Sequence, residues 1–376
     1  MSLIALGLMP YITASIVVQI AVSASPTLAA LKKEGESGRK TINQYTRYGT
    51  VLLCAAQGYF IATGLENWGL DQNRGAVINP GPLFRLTSVI SLVGGSMLLM
   101  WIGEQITQRG VGNGVSLIIT AGIIAQLPTA VGQVLASVNS GSLSLLTVGL
   151  IAAFAVILTA VICFMELGQR RVLIQYPKRR SIIPDGLQAD RSHLPLKINM
   201  ANVIPPIFAS SLLLMPLTVA QFAGNRVQGE SAWSDTVISV TTALQHGAPT
   251  YMVLYATGIF FFCFFYTGIV FDPEETATNL KRYGGFIPGI RPGEQTRQYL
   301  DYVITRITVV GAIYLTLICV IPEFLIARAG MPFLLGGTSL LIVVNVCADT
   351  MAQIKGHLIS HEYGELITKA KLRGLR

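Results

Sequence analysis

The sequence predicts an all-α, polytopic membrane protein with nine transmembrane helices built on an inverted repeat. Three observations lead there: too little charge for a soluble surface, long charge-free apolar runs, and two short echoes at matching places along the chain. Of 376 residues, 52% are hydrophobic and 12% charged, against about 25% charged in ordinary globular domains. A soluble chain of that composition would lack the charge to cover its surface. The net charge of +8 therefore informs through its distribution rather than through its sum.

Charge-free intervals mark the spans in order. Leu3 to Leu31 carries no charge; Arg47 to Glu66 brackets a second run and Arg85 to Glu104 a third. Gly110 to Met165 is also uncharged, which is too long for one helix of ~20 residues. The polar break Asn139-Ser-Gly-Ser142 divides it into spans four and five. Ile198 to Asn225, Tyr251 to Phe271, Ile307 to Pro322 and Ala329 to Ala348 complete the nine.

Alternating the loops across the membrane places all but four of the 27 basic residues on one side; the exceptions are Arg74, Arg85, Arg226 and Arg328. Positive charge is retained in the cytoplasm. The amino terminus is therefore expected outside, and the carboxyl tail (355–376) on the cytoplasmic side.

The echoes set the architecture. Pro10-Tyr-Ile-Thr-Ala-Ser15 in span one matches Pro205-Pro-Ile-Phe-Ala-Ser210 in span six, and Gly114-Val-Ser-Leu-Ile-Ile119 in span four matches Gly337-Thr-Ser-Leu-Leu-Ile342 in span nine. An offset of five spans reverses orientation, which makes the halves inverted repeats. The N-terminal half is then 1–138, with four spans, and the C-terminal half 145–354, with five. Span five, Leu145 to Met165, lacks a mate, so the design is a ten-helix (5+5) one whose first helix is expected before Met1, within roughly 60 to 80 further residues.

Catalytic constellations are missing. The four histidines (193, 246, 357, 361) fall in loops or the tail, and no HExxH, GxSxG or phosphate loop occurs. Glu104, Glu166 and Asp349 sit at span ends, where interfacial charge is the ordinary reading. Cys54, Cys163, Cys263, Cys319 and Cys347 lie singly in apolar runs, with neither metal nor disulfide spacing. An ion-coupled secondary transporter of small solutes is the alternative, since inverted repeats with broken helices are its signature. Such proteins usually carry a charged group at the midplane. Here the midplane is aliphatic: Leu8 and Ile12, then Val115 and Ile119, each pair spaced i,i+4, with Ile207 and Ile342 as the repeat mates of Ile12 and Ile119. These six either pack ordinarily or form a hydrophobic constriction that seals by dewetting. Gly7, Pro10, Pro205 and Pro206 interrupt the helices beside them. Thr13, Ser15, Gln57, Asn199, Asn202, Ser210 and Ser211 are each readable as bonded back to their own helix, or together as a seam that opens toward lipid.

The runs LGLMPYITASIVVQ (6–19), LKKEGESGRKTINQYTRYGT (31–50), WIGEQITQRGVGNGVSLII (101–119), HLPLKINMANVIPPIFASS (193–211), FFFCFFYTGIVFDPEETATNLKRYGGFIPGIRPGEQT (260–296) and PFLLGGTSLLIVV (332–344) closely resemble the bacterial SecY family of protein-secretion channels. The resemblance implies an hourglass pore whose waist is closed by the aliphatic ring Leu8, Ile12, Val115, Ile119, Ile207 and Ile342. It implies a lateral gate for signal sequences, bordered by spans one, two, six and seven and carrying the polar residues Thr13 to Ser211 named above. It implies two cytoplasmic docking loops, 168–198 and 272–300, that meet a SecA motor or the ribosome through Arg291, Lys281, Arg282, Arg179, Arg180 and Arg191. It further implies SecE and SecG subunits, signal peptides, nascent chains and membrane lipids as partners, with no cofactor and no active site. Two departures stand out. The chain begins inside the family's second helix, without the first helix and the plug that follows it. The loop 178–191 also lacks the family's usual basic pair at its tip, which leaves Arg291, in a Gly/Pro-rich stretch expected to be neither helix nor strand, as the principal docking residue.

Overall fold

The computed structural model describes residues 3–67, 77, 79–141, 144–176, 191–213, 247–329 and 336–373. Helices dominate among these residues. Among the described residues, seven single helices are long and apolar enough to cross a membrane. They are α3 (Glu36–Asn67), α4 (Pro82–Arg109), α5 (Gly114–Asn139), α6 (Leu145–Leu167), α8 (Pro249–Val270), α10 (Glu294–Ala329) and α11 (Gly337–Arg373). The break between spans four and five is a turn at Ser140 and Gly141, the latter left-handed at φ +74°. A serine cap then starts α6, its Ser144 hydroxyl accepting from the Thr147 N–H.

Span one is not a single rod. It is α1 (Met9–Ala24) followed by α2 (Pro26–Lys33), bent by 106°. The cause is local: Pro26 forces the residue before it out of the helical region, and Ser25 is extended at φ −104°, ψ 121°. Span six is seen as the short helix α7 (Ile204–Leu213); its expected continuation lies outside the described residues, and a count of nine is not reached among those described.

Contacts divide the chain into two compact units. Of the described residues, the first holds α1 to α4, α5 as far as Leu127, and α11 from Val346; the second holds α5 from Pro128 through α10, and α11 as far as Asn345. In the first, α1 packs on α2, α3 and α4, and α3 on α4; in the second, α10 packs on α8 and on α9 (Pro273–Arg282). A two-stranded antiparallel hairpin, β1 (Gln169–Gln175) with β2 (Arg191–Lys197), also belongs to the second. α10 has 36 residues, about 54 Å at 1.5 Å each. That exceeds the ~30 Å hydrocarbon core, and its charged start (Glu294, Arg297, Asp301, Arg306) is the surplus.

Both sequence echoes recur as contacts. Pro10, Pro205 and Pro206 are fully buried. Ala14 faces Gly49 of α3, and its mate Ala209 faces Gly258 of α8; a Cβ on either glycine would lie 3.4 and 3.2 Å from the alanine methyl. Gly114 opens α5 directly on the carbonyl of Gly103, and Gly337 opens α11 directly on the carbonyl of Ile318. Neither position has room for a side chain. Gly114→Ala and Gly337→Ala are each expected to destabilise the protein by about 1–3 kcal/mol through overpacking, read as a lower melting temperature in detergent. Gly122→Ala, with open space around it, serves as the control and should not lower it.

Candidate functional site

The two expected docking loops fold into one body. α6 ends at Leu167, and the Gly168 carbonyl accepts the Ile198 N–H at 3.0 Å, closing the base of the β1–β2 hairpin. Val172, Ile174 and Leu196 point from the hairpin into an apolar core shared with Leu280 of α9, Ile287, and Leu300, Val303, Ile304 and Ile307 of α10. Main-chain pairing reinforces it: the Gln175 N–H donates to the Phe286 carbonyl and the Phe286 N–H to the Gln175 carbonyl, both at 2.9 Å. Gly285 lies against the Tyr176 ring, where a Cβ would be 2.8 Å from Cε1.

This core explains how the Gly/Pro stretch is fixed without regular structure. α9 starts on an Asp272 cap, whose Oδ1 accepts from the Glu274 and Glu275 N–H groups. It carries acids in its first turn and Lys281 and Arg282 in its last, complementing the helix dipole. Left-handed Gly284, Gly289 and Gly293 then turn the chain. The buried Thr296 hydroxyl donates to the Arg291 carbonyl at 2.9 Å, pinning the loop where α10 begins. Arg291, Lys281 and Arg282 are exposed. The Arg297 guanidinium pairs with Glu294, whereas that of Arg291 meets no partner among the described residues. Arg191 opens β2 opposite Gln175; Arg179 and Arg180 lie outside the described residues. The expectation that the whole of 282–296 avoids regular structure is corrected at three points: Arg282 closes α9, Phe286 makes the bridge to Gln175, and Glu294 to Thr296 are helical.

Of the expected ring residues, Leu8, Ile12, Val115 and Ile119 belong to the first compact unit, Ile207 and Ile342 to the second. Leu8 is buried at the start of α1, its carbonyl accepting from the Ile12 N–H; the other five are half-buried. Val115 stands against α4, its Cγ2 3.1 Å from where a Gly103 Cβ would be.

The residues expected at the gate divide. Thr13 donates back to the Met9 carbonyl and Ser210 to that of Ile207, while Ser15 accepts from Gln19 one turn on. Gln57 is half-buried beside Gly58, which packs on Leu92 of α4. Asn199 is buried and donates to Glu166 Oε1 at 2.7 Å and to the Asn202 carbonyl at 3.0 Å. Asn202 is left-handed at φ +51°, and the Ser211 hydroxyl is buried without a protein partner among the described residues. Glu104 at the end of α4 pairs with Arg47 of α3 at 2.5 Å. No group of three His, Cys, Asp or Glu among the described residues gathers to hold a metal ion.

Sequence reasoning missed the hairpin, the shared core and the Asn199–Glu166 bond. The alternation of Val172 with Ile174 and of Leu194 with Leu196 is a strand signal, but Pro195 speaks against a strand. It is tolerated because a two-stranded hairpin consists only of edges.

Known proteins match this architecture throughout. The SecY family model matches residues 2–351. The protein translocase subunit SecY of Vibrio cholerae is 52% identical over 373 residues, covering 99% of this chain and 82% of its own. That of Escherichia coli K12 is 51% identical over 376 residues with the same coverage. Among solved structures, a SecY protein studied for the seal made by its plug domain superposes with a TM-score of 0.67 at 18% identity, over 95% of this chain and 83% of that one. Sec61 from the canine ribosome-channel complex gives 0.62 at 17% identity, over 95% and 82%. At those identities the superpositions bear on fold alone, and the fold is that of the channel proteins. With half the residues shared along nearly its whole length, the chain belongs to the SecY family.

Proposed function

We propose that this protein is the central pore-forming subunit of a protein-conducting channel, passing signal-bearing unfolded polypeptides across the bacterial plasma membrane and membrane proteins laterally into it. The observation that carries the reading is identity of 52% and 51%, over 99% of the chain, to protein translocase subunits. The six aliphatic residues seal the waist, the polar residues from Thr13 to Ser211 border the lateral gate between the halves 1–138 and 145–354, and the module built on 168–198 and 272–300 docks the driving partner. The protein is a channel subunit and not an enzyme, so energy comes from outside: from a SecA motor or from the ribosome, with SecE and SecG as companion subunits. The basic loops put that module and the carboxyl tail in the cytoplasm. The ion-coupled transporter finds no support in the comparisons and is set aside.

Reconstitution tests the reading. The full protein, with its companion subunits in proteoliposomes and an ATP-fuelled motor, is expected to move a signal-bearing precursor into a protease-protected lumen, and to fail with a precursor whose signal is disabled. Protection that ignores the signal, or that needs no motor, would overturn it.

A further inference from the structure

Four backbone donors in the turn that delivers α5 (those of Gly110, Gly112, Gly114 and Ser116) each find a different kind of acceptor. The Gly110 N–H closes α4 on the Ile106 carbonyl. The Gly114 N–H donates to the Thr107 hydroxyl at 2.8 Å, and the Ser116 N–H to Asn113 Oδ1 at 3.3 Å. These three are settled within the α4–α5 hairpin. The fourth is not: the Gly112 N–H donates to Gln353 Oε1 at 2.8 Å, across 241 positions of sequence. Gly112 is buried and left-handed at φ +91°, wedged so that a Cβ would lie 3.2 Å from both Leu117 Cδ1 and Thr350 Oγ1. Thr350 and Gln353 are three positions apart on α11 and so share a face. Thr350 is turned by its own bond to the Val346 carbonyl at 2.7 Å. All these residues belong to one compact unit.

The position of this bond gives it meaning. Gly112 precedes Val115 by three residues and Ile119 by seven, so the turn sets where the first two turns of α5 begin and how they are rotated. Gln353 lies eleven residues beyond Ile342 on α11. We propose that Gln353 is a positioning residue for the waist residues Val115 and Ile119: by accepting the Gly112 N–H it fixes the start of the helix that bears them against α11. This rests on the proposed ring. An amide is suited to the task because its oxygen accepts without a charge. Its three-bond reach also lets α11 hold the turn before a neighbouring helix through a side chain.

Resting ion conductance in planar bilayers tests it, with the full protein reconstituted alongside its companion subunits and Ile342→Asn measured in parallel. Gln353→Leu removes the acceptor; Gln353→Asn keeps the polarity but falls a methylene short. Both are expected to raise resting conductance several-fold and to let a reporter with a defective signal through, at normal abundance in the membrane. Gln353→Glu keeps reach and acceptor and should seal like the parent, a rescue that general loosening of the fold would not give. Where the leucine variant fails to accumulate, the asparagine and glutamate pair decides alone. Normal sealing by the leucine and asparagine variants, or by asparagine alone in that case, while Ile342→Asn leaks, overturns the tie and leaves the ring standing. A leak in Gln353→Glu as large as in Gln353→Asn likewise overturns the tie. Normal sealing in every variant, Ile342→Asn included, overturns the tie and the ring together.

Discussion

Arg291→Glu is expected to cut motor- or ribosome-driven translocation at least about tenfold while leaving the protein in the membrane at its usual level. The backbone around Arg291 is over-determined: the Thr296 hydroxyl holds its carbonyl, the paired Gln175 and Phe286 hold the preceding strand of loop, and a nine-residue apolar core lies beneath. A substitution of the exposed side chain leaves all of that intact, so folding should not suffer. The guanidinium itself has no partner among the described residues, and a planar donor fork held at a fixed tip suits bidentate capture of carboxylate or phosphate. Removing one member of such a charge pair at an interface costs about 2–5 kcal/mol, and 1.4 kcal/mol is already about tenfold in affinity. Arg291→Lys keeps charge without the fork and should retain part of the activity. Arg297→Gln is the contrasting variant. That guanidinium is spent on an exposed i,i+3 pair with Glu294, of a kind worth about 0.2–1 kcal/mol, and translocation should barely change. Normal rates with the glutamate at 291 would reduce the loop to a linker.

Ile342→Asn should raise ion leak through the resting pore and admit substrates with weak signals. A hydrophobic constriction stays shut because water cannot hydrogen-bond inside it. An unpaired amide in such a setting costs several kcal/mol unless water joins it, so the side chain recruits water and the constriction wets. Opening then needs less help from the substrate, which is why discrimination against poor signals should fall along with the seal. Ile207→Asn should act alike and the double variant more strongly. Ile118→Asn, one position off the ring on α5, should do neither. Bilayer conductance paired with export of a reporter bearing a defective signal reads both effects, and an unchanged leak in the single and double variants would remove the ring.

The sequence by itself determined what depends on neighbours along the chain. Charge-free runs placed the helices because a membrane admits only continuous apolar helix of sufficient length, and α3, α4, α5, α6, α8, α10 and α11 lie where those runs are. The echoes around Pro10 and Pro205, and around Gly114 and Gly337, were legible because each repeat demands the same small or rigid residue at the same contact. Glycines and prolines marked 282–296 as irregular because few other residues adopt such backbone, which holds for 283–293 apart from the Phe286 bridge. Tertiary structure decided the rest. The 106° bend at Ser25 and Pro26 hid inside a run whose apolarity read as one span. Pro195 masked a strand that only pairing with β1 makes tenable. Leu196 and Leu280 share a core though they stand in different loops, and Gln353 finds Gly112 from the far end of the chain. No local pattern announces such partners, because a hydrogen bond or a packed core is defined by distance in space, and one sequence leaves that distance open until the helices have packed.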